Sequence, residues 1–254
     1  MTGFGRDDRV RDGRVQAPGR DGRGLYFKAL QNRPDWGMKP DLIIFDYDGV
    51  VADSELLNNA ALAEVLTGIG LATTTDEAIA TYMGKRWLDC RPLIEARLDG
   101  ICPDHVHTDW TRLCHERAGS VLTTVPGLTS FLQGRTEPRC IASSSPPDWI
   151  ELGLARFGLS ERMGPVFSAA VHVSRGKPHP DLFLHAAAAM EADPARTLVI
   201  EDSATGVLAG VAAGMRVVGL CAGGHIRDGH AERLAEAGAH DIALSWGEVA
   251  TLID

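Results

Sequence analysis

Leu42-Ile43-Ile44-Phe45-Asp46-Tyr47-Asp48-Gly49, the start of the stretch LIIFDYDGVVADSE at 42–55, is an apolar run stopped by two carboxylates and a glycine. Four large apolar residues with no polar alternation read as a strand buried on both faces, as strands inside a parallel sheet are. Gly49 then allows the tight turn that a strand end needs. Three further short apolar runs follow: CIAS at 140–143, LVIED at 198–202 and VVGL at 217–220. Helical patterns separate them. Leu182, Phe183, Ala186, Ala187 and Met190 form one such stripe at three-four spacing, with Pro180 suited to the first turn. This alternation predicts an α/β fold with a Rossmann-like, doubly wound parallel sheet as its core.

Between about Ser54 and Leu122 the pattern changes. No convincing strand is present, while Leu62, Val65, Leu66 and Ile69 share one helical face, so an all-helical insertion after the first strand is expected. Pro126 and Gly127 mark the return to the sheet. The expected division is 38–53 and 124–254 for the α/β core and 54–123 for the helical insertion. Residues 1–37, dominated by Arg, Asp and Gly, offer little that could anchor a core and are expected to form a disordered N-terminal extension. Met38, just ahead of the first strand, is the expected natural start.

Composition narrows the function classes. Lys and Arg number 25 against 34 Asp and Glu, a formal net charge of −9, so no nucleic-acid or anionic membrane partner is expected. No run approaches the ~20 apolar residues that cross a bilayer, and no apolar leader precedes the first strand. A soluble, cytoplasmic protein is expected. The five cysteines show no Cys-x-x-Cys pair and read as reduced, mostly buried thiols. Cys102, His105, His107, Cys114 and His115 lie close in sequence, but their spacings do not match a tetrahedral zinc site.

In a parallel sheet the ligand crevice lies beyond the carboxyl ends of the strands. The residues that end these strands form a coherent set. The first supplies Asp46 and Asp48, the second Ser143, Ser144 and Ser145 ahead of a helix, whose positive end favours an anion. Lys177 sits at another junction, and LVIED ends in Glu201 and Asp202. Four acids on one rim repel one another unless a hard dication sits among them, and Mg2+ takes a few carboxylates with water and phosphate oxygens. A phosphate monoester would then bridge the metal, Lys177 and the Ser143 region. One aspartate can accept the phosphoryl group, and the other, two residues on, can protonate the leaving oxygen and later activate water.

These residues resemble the haloacid dehalogenase-like hydrolases, in the branch with a small helical cap after the first motif, similar to β-phosphoglucomutase and sugar-phosphate phosphatases. FDYDGVVADSE resembles the first motif, IASSS the second, GKPHPDLF the third and IEDSATG the fourth, and the likeness runs from about Leu42 to Ser245. The resemblance implies Asp46 as nucleophile, Asp48 as acid/base, Ser143 and the Ser144 backbone as phosphate binders and Lys177 as charge clamp. It also implies Mg2+ held by Asp46, the Asp48 carbonyl and Asp202, with Glu201 beside or coordinating. In mutase-like members a histidine on the first cap helix serves the acid/base aspartate, and Asn58 stands at that position here. A cap-loop cation contacts a second anionic group, and here the loop reads Gly84-Lys85-Arg86-Trp87. The stretch EDSATGVLAGVAAGMRVVGLCAGGH is most similar to phosphatases of sugar phosphates and sugar-acid phosphates, 6-phosphogluconate among them. The expectation is a Mg2+-dependent phosphatase acting on such a small-molecule phosphate ester, with β-phosphoglucomutase-type transfer as the alternative. A monomer is expected, because this architecture closes its own active site. A receiver-type signalling domain shares the acids and lysine but lacks the long insertion. Trp87 and Trp149 could be core or crevice wall.

Overall fold

The computed structural model describes residues 39–254, so the expectations for the N-terminal extension and Met38 lie outside the described residues. Six parallel strands form one sheet: β1 (Leu42–Phe45), β2 (Arg139–Ser143), β3 (Val166–Ser168), β4 (Thr197–Glu201), β5 (Arg216–Leu220) and β6 (Asp241–Ala243). Their order across the sheet is β3-β2-β1-β4-β5-β6, all pairs parallel. The doubly wound architecture read from the sequence is therefore present. β1 lies centrally, and successive residues point to opposite faces. Ile43 and Phe45 join one apolar cluster, with Trp149 and Ile150 of α6 (Pro147–Phe157) and Trp246 and Val249 of α10 (Trp246–Ile253). Leu42 and Ile44 join the cluster on the other face, with Leu182 and Phe183 of α7 (Asp181–Ala189) and Val207 of α8 (Ala204–Ala212). Pro180 stands one residue ahead of the expected first turn, as the N-cap of α7.

β3 and β6 leave no strand pattern in the sequence. Each is a three-residue edge strand, too short to show a period. The return at Pro126-Gly127 leads first into a short helix, α5 (Leu128–Leu132), and only then into β2.

The chain between β1 and β2 is helical, as expected: α1 (Glu55–Gly68), α2 (Thr75–Tyr82), α3 (Trp87–Leu98) and α4 (His105–Val121) come before α5. Thr74 and Glu77 form a capping box at the start of α2, which satisfies two orphan amides of that helix. Leu62, Leu66, Tyr82, Ile94 and Val106 pack into an apolar cluster of their own. The two chain crossings between this helical segment and the sheet run side by side, with Ala52 bridged to Thr124 and Asp53 N donating to Thr123 O at 2.9 Å. α9 (His230–Glu236) completes the sheet's second face. Among the described residues no helix is long and apolar enough to cross a membrane. Cys90, Cys102, Cys114 and Cys140 are buried free thiols, and Cys221 is a half-buried one.

Candidate active site

The neighbours of β1 connect to it in opposite directions, which opens a crevice at the carboxyl ends of the strands. β1 runs straight into Asp46 there, whose backbone N–H donates to Ile200 O at 3.0 Å and so keeps it in line with β4. Lys177 arrives on the loop between β3 and α7 and is 4% exposed. Its Nζ donates to Asp46 Oδ1 at 2.7 Å and to Glu201 Oε1 at 2.6 Å. Burial alone would disfavour the ammonium, but the two carboxylates overcome it, and the Lys177 pKa sits above its ordinary value. Burial likewise pushes the Asp46 carboxyl well above the usual range, with Lys177 opposing and Glu201 and Asp202 adding to the rise. A buried charge without partners costs several kcal/mol (roughly), so this lysine is part of what makes the acid cluster tolerable.

Asp46, Glu201 and Asp202 bring carboxylate oxygens within 4.8 Å of one another. Asp202 Oδ2 is buried without a hydrogen-bond partner, and burial followed by the Glu201 charge raises the Asp202 pKa. Clustered hard oxygens with an orphaned member fit a divalent cation such as Mg2+. Glu201 is also engaged elsewhere: its Oε2 accepts from the Ser203 backbone N–H and hydroxyl, both at 2.9 Å. Gly49 lies against this cluster at φ +76°, and a Cβ there would stand 1.8 Å from Asp202 Oδ2. Only glycine fits.

Behind Asp202 stand two histidines that the sequence pattern did not single out. His230 donates from Nε2 to Asp202 O at 2.6 Å, a tautomer consistent with Arg233 Nη2 donating to His230 Nδ1 at 3.2 Å. His225 is fully buried, its Nε2 2.9 Å from Asp202 Oδ2 but off the line that a hydrogen bond needs, and neither ring nitrogen has a partner. Burial lowers both histidine pKa values to about 4, so both rings are neutral near pH 7.

Asp48 accepts four hydrogen bonds. Ser54 Oγ at 2.5 Å, Trp149 Nε1 at 2.9 Å and Asn58 Nδ2 at 3.1 Å donate to Oδ1, and Ser145 Oγ at 2.5 Å donates to Oδ2. Ser54 and Asn58 belong to the start of α1, so the helical segment and the sheet hold this carboxyl jointly. Trp149, which the sequence leaves open between core and wall, is therefore a site residue. Asp48 also lines a chamber with Asp46, Ser143, Lys177 and the buried carboxyl of Glu55. Burial, then the charges of Asp202, Asp48 and Asp46, raises the Glu55 pKa well above the ordinary range. Nothing in the spacing of Glu55 or Trp149 marks them as site residues; their roles come from tertiary packing.

Ser143 is buried and its Oγ accepts from Ser145 N at 3.2 Å. Ser144 Oγ donates across the cleft to Gly84 O at 3.2 Å. The loop after Gly84 does overhang the rim. Lys85 reaches the chamber with Nζ donating to Thr81 O at 2.9 Å, whereas Arg86 pairs with Asp89 at 2.8 and 3.2 Å and donates to Ser174 O at 3.1 Å. Asp46, Asp48, Ser143, Lys177, Glu201 and Asp202 thus converge, and Lys85 and Arg86 stand at the opening. Among the described residues, the Cys102 to His115 stretch forms no group of metal-ligating atoms.

Residues 40–214 match the family model of the haloacid dehalogenase-like hydrolases. Among curated proteins, the chain is 24% identical over 190 residues to 6-phosphogluconate phosphatase of Escherichia coli (strain K12), covering 73% of this chain and 84% of that one. It is 31% identical over 204 residues to validoxylamine A 7'-phosphate phosphatase of Streptomyces hygroscopicus subsp. limoneus, covering 76% and 89%. Among solved structures, a conserved haloacid dehalogenase-like protein of unknown function from Agrobacterium tumefaciens superposes with a TM-score of 0.73 at 32% identity, covering 84% of this chain and 97% of that one. The chain belongs to the haloacid dehalogenase-like hydrolases, and within them to the phosphoric monoester hydrolases.

Proposed function

We propose that the chain is a Mg2+-dependent phosphatase of a small phosphorylated metabolite, a sugar phosphate or sugar-acid phosphate such as 6-phosphogluconate, working through an aspartyl-phosphate on Asp46. The observation that carries this reading is Lys177 held between Asp46 and Glu201 beside the orphaned Asp202 Oδ2. Asp46 and Asp202, with the Asp48 carbonyl and Glu201 close by, would hold the cation. Bound there, Mg2+ supplies positive charge against the phosphoryl oxygens.

An Asp46 carboxylate oxygen attacks phosphorus, and the bond from phosphorus to the alcohol oxygen breaks. Ser143, the Ser144 backbone and Lys177 hold the remaining oxygens. Asp48 gives its proton to the departing alcohol and then takes one from the water that cleaves the acyl-phosphate, which restores Asp46 and releases phosphate. For this, Asp48 must exchange some of its four donors for the substrate oxygen. Asn58 favours hydrolysis over mutase chemistry: at the position where mutase-like members carry a histidine, it offers Asp48 a neutral amide donor that cannot titrate.

The test is incubation with Mg2+ and a panel that includes 6-phosphogluconate and β-glucose 1-phosphate, following free phosphate and glucose 6-phosphate together. Free phosphate, lost on chelation of the metal, is the expected result. Glucose 6-phosphate formed from β-glucose 1-phosphate without phosphate release would replace the phosphatase reading with a mutase.

A further inference from the structure

The loop that follows β5 carries His225, whose ring no step of the proposed reaction uses. The ring is fully buried, and neither Nδ1 nor Nε2 has a hydrogen-bond partner. An unpaired buried donor keeps its full desolvation cost, and most buried side-chain polar atoms avoid that by finding a partner. The fold nonetheless makes room for this ring. A Cβ at Gly49 would stand 2.9 Å from His225 Cε1, and one at Gly223 would stand 2.7 Å from Nδ1. Glycine therefore clears the space twice, in the turn after β1 and in the loop's own backbone. His230 packs against the ring at 5.5 Å between centroids and 77° between planes. The adjacent Gly224 N donates to Asp53 Oδ1 at 2.8 Å, which ties the loop to the chain crossing beside the site.

The ring's polar neighbour is Asp202 Oδ2, 2.9 Å from Nε2 and itself the orphaned oxygen of the acid cluster. That separation suits a hydrogen bond, and only the alignment is lacking. Because neither ring nitrogen is held elsewhere, the ring gives up no bond in turning towards the carboxylate. With the proton on Nδ1, the Nε2 lone pair would face the lone pairs of Oδ2; with the proton on Nε2, a donor faces an acceptor. A carboxylate that holds a cation is deprotonated and can only accept, and its four lone-pair positions have room for a cation and an N–H together. The other two acids of the cluster already have donors that orient them, Lys177 for Asp46 and Lys177 with Ser203 for Glu201. Asp202 Oδ2 has none.

Resting on the reading of Asp202 as a cation ligand, we propose that His225 is a positioning residue whose Nε2–H fixes the Asp202 carboxylate in the orientation that receives the divalent cation. Carboxylate ligands of metal sites are held in this way by hydrogen bonds from the surrounding protein. His225 does not line the chamber of Asp46, Asp48 and Lys177, so its effect falls on the cation and not on the substrate.

Mn2+ binding to the full chain, followed by the paramagnetic resonance of the free ion and by competition with Mg2+, reads cation affinity without turnover. Loss of a partner behind a metal ligand costs roughly 10–100-fold in affinity. His225→Leu, which fills the space without a donor, should weaken both cations by that factor, while His225→Gln, which offers an amide N–H, recovers most of the loss. KM for acetyl phosphate at saturating Mg2+ should stay unmoved in both. Unchanged affinity in His225→Leu, or an equal loss in His225→Leu and His225→Gln, overturns the positioning role. Should circular dichroism show that His225→Leu does not fold, nitrogen-15 NMR of the imidazoles in the unaltered chain decides, with the His225 signal identified by its absence in His225→Gln. A proton on Nε2 whose signal moves when Mg2+ is added supports the role; a proton on Nδ1, or a signal that Mg2+ leaves in place, overturns it. Mn2+ that fails to bind the unaltered chain, or that binds Asp202→Asn equally well, overturns the cation reading and the role of His225 with it.

Discussion

At the strand ends Asp46, Asp48, Lys177, Glu201 and Asp202 are all buried, and most of their oxygens and the lysine nitrogen have partners within the protein. Across the cleft, Lys85, Arg86, Trp87 and Trp110 from the helical segment are partly buried; Lys85 and Arg86 bond to Thr81 O and Asp89 close by, and Trp110 to Asn58 O of α1. The rim is a fixed charge arrangement, held by a sheet that orders its parts before any ligand arrives. The helical wall is joined to it by Ser54 and Asn58 at Asp48, by Ser144 to Gly84 and by Arg86 to Ser174. On the proposed reading, chemistry falls to the sheet half and selection to the helical half.

The largest effect expected follows from the proposed nucleophile of the rim, Asp46. Asp46→Asn keeps the shape and the hydrogen bond from Lys177 but replaces the attacking oxygen with an amide, so turnover should fall to background while the circular-dichroism spectrum stays that of the native protein. Retained turnover in a folded variant would move the nucleophile elsewhere.

Next comes the charge that makes the rim tolerable. Lys177→Met leaves Asp46 and Glu201 buried without their cation, and breaking a buried pair of this kind costs about 3–5 kcal/mol. The loss depends on pH. Burial already raises the Asp46 pKa in the fold, and without Lys177, which lowers it, the rise is greater. A folded-state pKa above the unfolded one gives stability that is present below the unfolded pKa and lost as pH rises through the folded value. Urea unfolding at several pH values should therefore find the deficit of Lys177→Met smallest in acid and growing towards neutrality. A deficit independent of pH would mean that the lysine acts by packing on the Phe183 ring, 5.0 Å from its Nζ, instead of by charge.

The two halves also differ in how far the sequence discloses them. LIIFD, CIAS, LVIED and VVGL name four strands because each is long and apolar enough to be buried on both faces, and their terminal residues are the rim itself. Strand ends are set by local chain direction, so reading Asp46, Ser143 and Asp202 needed no knowledge of packing. Three-residue β3 and β6 carry no period, and the pairing at the sheet edges alone defines them. Trp149 and His225 were illegible for a different reason. Each reaches the site through a side chain from an element whose sequence shows only an apolar helix or a glycine-rich loop, and only the packed structure shows that Nε1 of one meets Asp48 and the ring of the other lies against Asp202.

Trp149 tests the seam between the halves. Its indole N–H is one of three donors on Asp48 Oδ1, the other two coming from Ser54 and Asn58. Trp149→Phe keeps the apolar bulk under α6 and removes that donor, worth about 1 kcal/mol of net hydrogen bonding or more to a charged group. A severalfold change in kcat with KM for acetyl phosphate nearly unmoved is expected, because the donor orients the proposed acid/base, Asp48, and not the phosphate. A matched rise in KM would instead assign Trp149 to the wall.

The smallest effect expected concerns Arg86. The family resemblance offers Lys85 or Arg86 as the reader of a second anionic group, and on that basis Arg86→Ala would weaken only substrates that carry one. In the fold its guanidinium is instead a strut between the helical loop and the rim, with Asp89 on one side and Ser174 O on the other. Gly176 leaves room for the side chain, since a Cβ there would lie 2.5 Å from Arg86 Nε. A partly exposed short-range pair of this type contributes about 0.2–1 kcal/mol. Arg86→Ala should therefore raise KM by a small factor that is the same for 6-phosphogluconate, glucose 6-phosphate and acetyl phosphate, because closure of the cleft is loosened for all of them. A KM rise confined to 6-phosphogluconate would show that the arginine leaves Asp89 to meet the ligand, and that the helical wall reads charge after all.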